Sequence, residues 1–253
     1  MTEPADHILL LAGTREARLL AKKLVETFPD VRITASFAGA VDNLPNLGVP
    51  TRVGGFGGVA GLTDYLVNEK VTLLVDATHP FAAQMSGNAV FAARSLNLPL
   101  IRLERPAWTP ESGDLWQSVV SLGEAADALP AQARAFLAIG RKDLHRFTHR
   151  TDIFALARMI EPPELPLPGH WQLVLGRPPL SASEEIALFR KHRITHVVAK
   201  NSGGRRSHAK IEAARQLGLP VIMVDRPKLA ETELATSVED ALRKINLEIA
   251  SDF

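Results

Sequence analysis

Short apolar runs alternate with amphipathic stretches from one end of this chain to the other. Strands of a parallel sheet are buried on both faces and therefore read as short continuous apolar runs, and the crossover helices between them read as amphipathic stretches. The alternation predicts an α/β fold built from doubly wound, Rossmann-like parallel sheets.

The length of 253 residues favours two domains over one. The segment PAWTPESG at 106–113 interrupts regular structure, so we predict domains at 1–108 and 109–253. Strands are predicted at 8–12, 32–36, 51–53, 72–76, 100–102, 115–120, 135–139, 152–157, 172–175, 196–199 and 221–224. Helices are predicted near 15–27, 58–69, 81–96, 181–192, 206–217 and 237–249.

Composition excludes several kinds of site. The chain has no cysteine, which rules out disulfides, cysteine-zinc sites, iron–sulfur clusters and thiol nucleophiles. A formal net charge of +1 gives no global attraction for nucleic acid or anionic membrane. His145 and His149 are four residues apart but lack a zincin pattern, so no metal is expected.

The polar start of the chain shows no targeting signal, and a cytoplasmic location is expected.

A nucleotide site is suggested where the first predicted strand ends. Gly13 lies where the chain turns from strand into helix, and exposed amides at such a turn can receive a phosphate. Only one glycine of the Gly-x-Gly-x-x-Gly pattern is present, so a plain tight turn remains the alternative.

The end of the second predicted strand, ASFAG at 35–39, has no carboxylate. NAD-preferring domains carry an acidic residue there, whereas the Ser36 hydroxyl and backbone amides can accept a 2′-phosphate. If a dinucleotide binds, NADP is favoured. The glycine-rich GGFGG at 54–58 is either a second phosphate cradle or a flexible turn.

The turn after the fourth predicted strand, at 76–82, lies at the sheet edge where ligands bind in this architecture. Thr78 can cap the next helix, Pro80 restricts His79 to extended geometry, and Phe81 offers a flat apolar face. His79 can orient a cofactor or relay a proton, and the pattern does not choose between these roles. A helix cap with a structural proline is the alternative.

Two cationic clusters follow strands of the second half. KNSGG at 200–204 runs into Arg205, Arg206, His208 and Lys210, and Arg141 with Lys142 forms a weaker cluster. Positive side chains at a helix start favour an anionic ligand, and the two clusters can face one ligand. Solvated helix faces are the alternative. The proline-rich stretch 161–168 is either a surface loop or a lid.

Two enzyme classes are argued against by missing motifs. Short-chain dehydrogenases pair Tyr with Lys four residues later, whereas the only tyrosine, Tyr65, is followed at that spacing by Glu69. The Gly-x-Ser-x-Gly pattern of α/β-hydrolases does not occur.

The motifs together resemble those of the precorrin-6A reductases of cobalamin (vitamin B12) biosynthesis. The resemblance rests on four stretches that share their order and separation with that family: GTRE at 13–16, DATHPFA at 76–82, IGR at 139–141 and KNSGG at 200–204. It implies two Rossmann-like domains with the active site in the cleft between them, and an oxidoreductase acting on CH–CH bonds that uses NADPH to reduce precorrin-6A to precorrin-6B. A cobalt-precorrin-6A reductase and a nonenzymatic nucleotide- or tetrapyrrole-binding module are the alternatives.

The resemblance also implies a division of labour, with a tetrapyrrole-derived anionic substrate and no nucleic-acid or membrane partner. The expected NADPH-binding residues are Gly13, Thr14, Arg15, Glu16, Ser36, Phe37, Ala38, Gly39, Thr78, His79 and Pro80. The expected substrate-binding residues are Phe81, Arg141, Lys142, Lys200, Asn201, Ser202, Gly203, Gly204 and Lys210. A monomer that hands its product to the next enzyme of the pathway is compatible with the chain.

Overall fold

The computed structural model describes residues 6–37, 46–163 and 166–251. The strands are β1 (His7–Ala12), β2 (Arg32–Phe37), β3 (Thr51–Val53), β4 (Leu73–Asp76), β5 (Leu100–Leu103), β6 (Trp116–Val119), β7 (Arg134–Ala138), β8 (Phe154–Met159), β9 (Gln172–Leu175), β10 (His196–Lys200), β11 (Val221–Val224) and β12 (Glu233–Ala235). The helices are α1 (Arg15–Thr27), α2 (Gly58–Asn68), α3 (Ala83–Leu96), α4 (Leu122–Asp127), α5 (Ala182–Lys191), α6 (Ala209–Leu217) and α7 (Val238–Ser251), with 3-10 turns at Arg141–Phe147 and Arg205–Ser207.

The strands form two six-stranded sheets in which every pairing is parallel, and the α/β prediction is confirmed. The first sheet has the order β3-β2-β1-β4-β5-β12. When the six strands of this sheet are numbered by their own order in the chain, β12 becomes the sixth. The order is then 3-2-1-4-5-6, the strand order of dinucleotide-binding domains. The order reverses between β1 and β4, which creates a switch point at their carboxyl ends.

Strand β1 shows why helices cover both faces of this sheet. Ile8 and Leu10 join the core that includes α1 and α7, whereas Leu9 and Leu11 join the core that includes α2 and α3. Successive side chains of a strand point to opposite faces, so an uninterrupted apolar run requires a cover on each side.

The second sheet has the order β6-β11-β10-β7-β8-β9. Its switch point lies between β7 and β10, which are direct neighbours. Phe136 from β7 packs with Phe189 from α5, with ring centroids 4.9 Å apart, in a core that includes Ile211 from α6. The sheet therefore places the residues that follow β7 and β10 at one edge.

The chain divides into two units, and the first is discontinuous in sequence. Residues up to Arg105 and residues from Lys228 onward form the first unit, and Pro106–Pro227 form the second. The predicted boundary at 108/109 lies near the first crossing, but the assignment of 228–253 to the second domain departs from the structure. The reason is that β12 pairs with β5, and Ala241 and Ile245 of α7 are buried in the core of the first sheet.

No helix in the described ranges has the length and apolarity needed to cross a bilayer. Within those same ranges, no three His, Cys, Asp or Glu side chains come together in a way that could hold a metal ion.

Candidate functional site

The turn after β1 is tied to the turn after β4 by Thr14. Its hydroxyl accepts a hydrogen bond from Ala17 N (3.0 Å), which caps α1, and donates one to the carbonyl of Ala77 (2.9 Å). Gly13, just before it, is exposed, and nothing lies within 4 Å of the point where a Cβ would sit. The turn at the switch point of the first sheet is therefore held in place by the hydrogen bonds of Thr14 and has open space at Gly13. Both features suit a turn that binds a phosphate.

The next two residues of this turn differ in their surroundings. Arg15 is exposed. The Glu16 carboxylate accepts a hydrogen bond from Arg105 Nη1 (2.7 Å), so it forms an ion pair within the first unit.

The turn after β4 is organised by Asp76, which is buried at the end of that strand. Its Oδ1 accepts hydrogen bonds from the backbone N–H (3.1 Å) and hydroxyl (2.7 Å) of Thr78. Helix α3 begins at Ala83 with Ala82 as its N-cap, so the prediction that Thr78 caps this helix was wrong. Thr78 instead donates both of its hydrogen bonds to the carboxylate two residues earlier, because that carboxylate is a charged acceptor within reach.

His79 forms a compact turn with Phe81. Its Nδ1 accepts a hydrogen bond from the backbone N–H of Phe81 (3.2 Å), and the two ring centroids are 5.9 Å apart. Because Nδ1 is an acceptor, the proton of the neutral imidazole lies on Nε2. Pro80, between them, is buried.

At the end of β2, the expected cofactor-binding residue Ser36 is hydrogen-bonded to a side chain of the neighbouring strand. Ser36 is buried, and its hydroxyl accepts a hydrogen bond from Nη1 of Arg52 (2.9 Å), a residue the sequence analysis did not select. Phe37 is also buried, and Ala38 and Gly39 lie outside the described residues. The contact depends on the register that places Ser36 opposite Arg52 across β2 and β3, and the sequence carries no local signal for it.

In the second unit, the two predicted cationic clusters lie at the ends of neighbouring strands. The Lys200 ammonium at the end of β10 forms an ion pair with Asp143, in the 3-10 turn that follows β7. Arg141, in the same turn, pairs with Glu161 (3.0 Å). A cavity of about 820 Å³ opens beside this turn, and it is lined by Arg141, Lys142, Leu144, His145, Thr148, Pro163, Pro166, Leu167 and Pro168. Cationic and apolar side chains thus line the same cavity.

Other residues of the 200–204 stretch support the local backbone. The Asn201 side chain bonds both backbone groups of Trp108, accepting from its N–H (2.8 Å) and donating to its carbonyl (2.9 Å). Gly203 has φ +67°, and a Cβ there would lie 2.2 Å from the carbonyl oxygen of Pro106. Ser202 is buried, and Gly204 accepts a hydrogen bond from the Trp108 indole N–H (3.0 Å).

Lys210 occupies a different environment from the one expected of a ligand cation. Its side chain is buried, its ammonium donates to the Ser207 carbonyl, and Nζ lies 4.8 Å from the centre of the Trp108 ring. A role for it in substrate binding stays a prediction.

Comparison with known proteins agrees across nearly the whole chain. The family model described as precorrin-6x reductase CbiJ/CobK matches residues 7–246. The precorrin-6A reductase of Rhodobacter capsulatus is 46% identical over 239 residues, which cover 93% of this chain and 94% of that protein. The cobalt-precorrin-6A reductase of Priestia megaterium is 32% identical over 254 residues, covering 94% and 97%.

A solved structure described as CobK precorrin-6A reductase is 45% identical and superimposes with a TM-score of 0.88, covering 96% of this chain and 97% of that one. Sequence and fold lead to the same assignment: this chain belongs to the precorrin-6x reductase family, whose members are oxidoreductases.

Proposed function

We propose that this chain reduces one double bond of precorrin-6A, giving precorrin-6B, with NADPH as the hydride donor. A reductase of this family requires a reduced nicotinamide cofactor. The observation that carries the proposal is the 3-2-1-4-5-6 strand order of the first sheet, with an open, braced turn at its switch point.

The residues around that switch point fit a dinucleotide. The open space over Gly13 and the first amides of α1 suit a pyrophosphate, and Arg15 adds an exposed positive charge. The described part of the β2 end carries no carboxylate that would repel a 2′-phosphate, which favours NADPH over NADH. In the turn after β4, Thr78, His79 and Pro80 are the residues proposed to contact the nicotinamide half.

The second unit is proposed to hold the substrate through its carboxylate arms. Arg141, Lys142 and Lys200 provide fixed positive charges at one sheet edge, and the prolines of the adjoining cavity provide apolar surface for a macrocycle. Arg141 and Lys200 are paired with Glu161 and Asp143, so substrate carboxylates would exchange with or extend these pairs.

When bound, NADPH supplies a hydride, and the chain's contribution is mainly to position the two reactants. The imidazole of His79, held in its turn by the N–H of Phe81, is proposed to orient a bound group, and the solvent can supply the proton that completes the reduction. No strongly acidic residue is required by this scheme.

The relatives favour the cobalt-free substrate. Identity to precorrin-6A reductases is 46% and 44% for two relatives, against 32% for the cobalt-precorrin-6A reductase of Priestia megaterium. The absence of cysteine is compatible with a reducing cytoplasm, which we propose as the location of the protein. We also propose that the protein works as a monomer that hands its product to the next enzyme of the pathway.

The proposal is tested by following NADPH absorbance with purified protein and precorrin-6A. Wild type should consume NADPH, Lys200→Ala should raise the KM for precorrin-6A, and Lys191→Ala, at the exposed end of α5, should leave it unchanged. Absence of consumption by folded protein with authentic precorrin-6A would overturn the assignment, and consumption only with cobalt-precorrin-6A would transfer it to the cobalt-containing substrate.

A further inference from the structure

Arg52 is held in place at the edge of the first sheet by three hydrogen bonds and by the rings of Phe56 and Tyr65, the latter 5.2 Å from its guanidinium carbon. Its Nη1 donates to the Ser36 hydroxyl (2.9 Å) and the Gly54 carbonyl (3.1 Å), and its Nη2 donates to the Gly55 carbonyl (3.1 Å). Its guanidinium carbon lies 3.8 Å from the centre of the Phe56 ring, which is a cation–π contact. A long side chain is thereby fixed before any ligand arrives.

The same contacts leave part of the guanidinium available. A guanidinium has five N–H donors, and its hydrogen bonds to described residues use three of them. The bond from Nη2 to Gly55 is solvent-exposed, so this end of the group lies at the surface. Nε–H and the second hydrogen of Nη2 have no partner among the described residues, so together they can bind one ligand through two hydrogen bonds.

The charge of Arg52 is not balanced by a carboxylate from the described residues. Its polar partners there are one hydroxyl and two carbonyls, and no ion pair with it is formed in those ranges. A guanidinium presented in this way suits a phosphate, which it can bind through two parallel hydrogen bonds.

Ser36 cannot serve as the main phosphate ligand. Its side chain is only 3% exposed and its hydroxyl is already bonded to Arg52. The geometry fits a role in which Ser36 orients Arg52, and Arg52 contacts the ligand.

We propose that Arg52 is the residue that recognises the 2′-phosphate of NADPH, and that Ser36 and Phe56 fix its position. This assignment rests on the proposed use of the first unit as the nucleotide domain. It names the side chain that discriminates NADPH from NADH. The ligand chemistry is a phosphomonoester on the 2′-oxygen of an adenosine ribose.

Calorimetric titration of the full chain with NADP⁺, NAD⁺ and 2′,5′-ADP tests the proposal without any tetrapyrrole. Loss of a charge-assisted phosphate contact should weaken NADP⁺ and 2′,5′-ADP about 10- to 100-fold in Arg52→Ala and leave NAD⁺ within about 2-fold. Arg52→Lys keeps the charge without the planar fork and should lie between wild type and Ala.

Two further variants separate this role from a structural one. Phe56→Leu removes the ring under the guanidinium and should weaken NADP⁺ about 2- to 5-fold with NAD⁺ unchanged. Arg243→Ala, on the exposed face of α7, removes an equal charge away from the site and should change neither affinity.

The outcomes are distinguishable. Equal weakening of NADP⁺ and NAD⁺ in Arg52→Ala and Arg52→Lys, or no change in either, overturns the assignment of Arg52 while leaving the reductase function intact. If wild type binds neither dinucleotide, the nucleotide-domain proposal fails, and this assignment fails with it.

Discussion

Nε of Arg102 lies 3.4 Å from Oδ2 of Asp76, and both side chains are almost fully buried. Asp76 also holds Thr78, while Nη1 of Arg102 donates to the carbonyl of Ala230 (3.3 Å). One buried ion pair therefore joins the turn after β4 to the segment that leads into β12.

Replacing Asp76 with Ala should destabilise the protein by about 3–5 kcal/mol, because it leaves the Arg102 guanidinium buried without its counter-charge. Asp76→Asn keeps an acceptor for Thr78 and should cost less. Urea unfolding measures both, with the exposed Asp30→Asn as the control. A cost below about 1 kcal/mol for Asp76→Ala would contradict the importance of this pair.

Thr14→Val should cost about 1–3 kcal/mol, since it removes both the cap on α1 and the bond to Ala77. Thr14→Ser keeps the hydroxyl and should stay close to wild type in unfolding free energy. We also expect weaker NADP⁺ binding in the Val variant only, as seen by titration. Equal behaviour of the two variants would show that the hydroxyl is not what braces this turn.

Gly203→Ala should be strongly destabilising, by more than about 2 kcal/mol, because a side chain is disfavoured at its positive φ and the Cβ would overlap the Pro106 carbonyl. Gly169→Ala is the matched control, since Gly169 has open space at its Cβ position and no positive φ. Thermal unfolding of the two variants checks this directly. Similar melting temperatures would argue against close packing of the 106–108 segment on this glycine.

Stability should decrease as the pH falls below about 6.5, because burial lowers the pKa of His7. Its Nδ1–H donates to the Glu69 carbonyl (2.8 Å), a bond that partly opposes the shift, and Nε2 accepts from Thr34 (2.9 Å). Above the unfolded-state pKa both states are neutral, and stability is lost between that pKa and the lower folded one, where only the unfolded state binds the proton.

Urea unfolding at pH 7.5 and 5.5 measures the effect. His7→Asn cannot titrate, so its stability should change less between the two pH values than that of wild type. An identical pH dependence in the two proteins would assign the effect to other groups.

The local sequence pattern alone was enough to predict the bounds of several helices and strands. α1, β3, β9 and β11 have the predicted bounds, because α1, β9 and β11 carry clear apolar patterns and β3 lies between Pro50 and Gly54. The 3-10 turn at Arg141–Phe147 was missed, since a charged segment of that length has no apolar period. β12 is as short as β3 but has no adjoining proline or glycine to mark its ends, and it was missed.

The candidate site was predictable only where a strand visibly ends in polar residues. The turns after β1, β4, β7 and β10 were found in this way, and the structure places them in adjacent pairs at two switch points. Arg52 and Asp76 were not singled out, because the role of each depends on a partner, Ser36 or Arg102, that strand register and not sequence proximity brings near.

The path of the chain also determines the order in which the protein can mature on the ribosome. The second unit, Pro106–Pro227, is complete in sequence before the last strand and helix of the first unit have been synthesised. Until β12 emerges, β5 has an unpaired edge, and until α7 emerges the apolar surface that it covers is open to water. The nascent first unit is thus an incomplete parallel sheet with an uncovered core until the segment from Lys228 onward has been synthesised, and loss of that segment, a change far from every motif, would leave it in that state permanently.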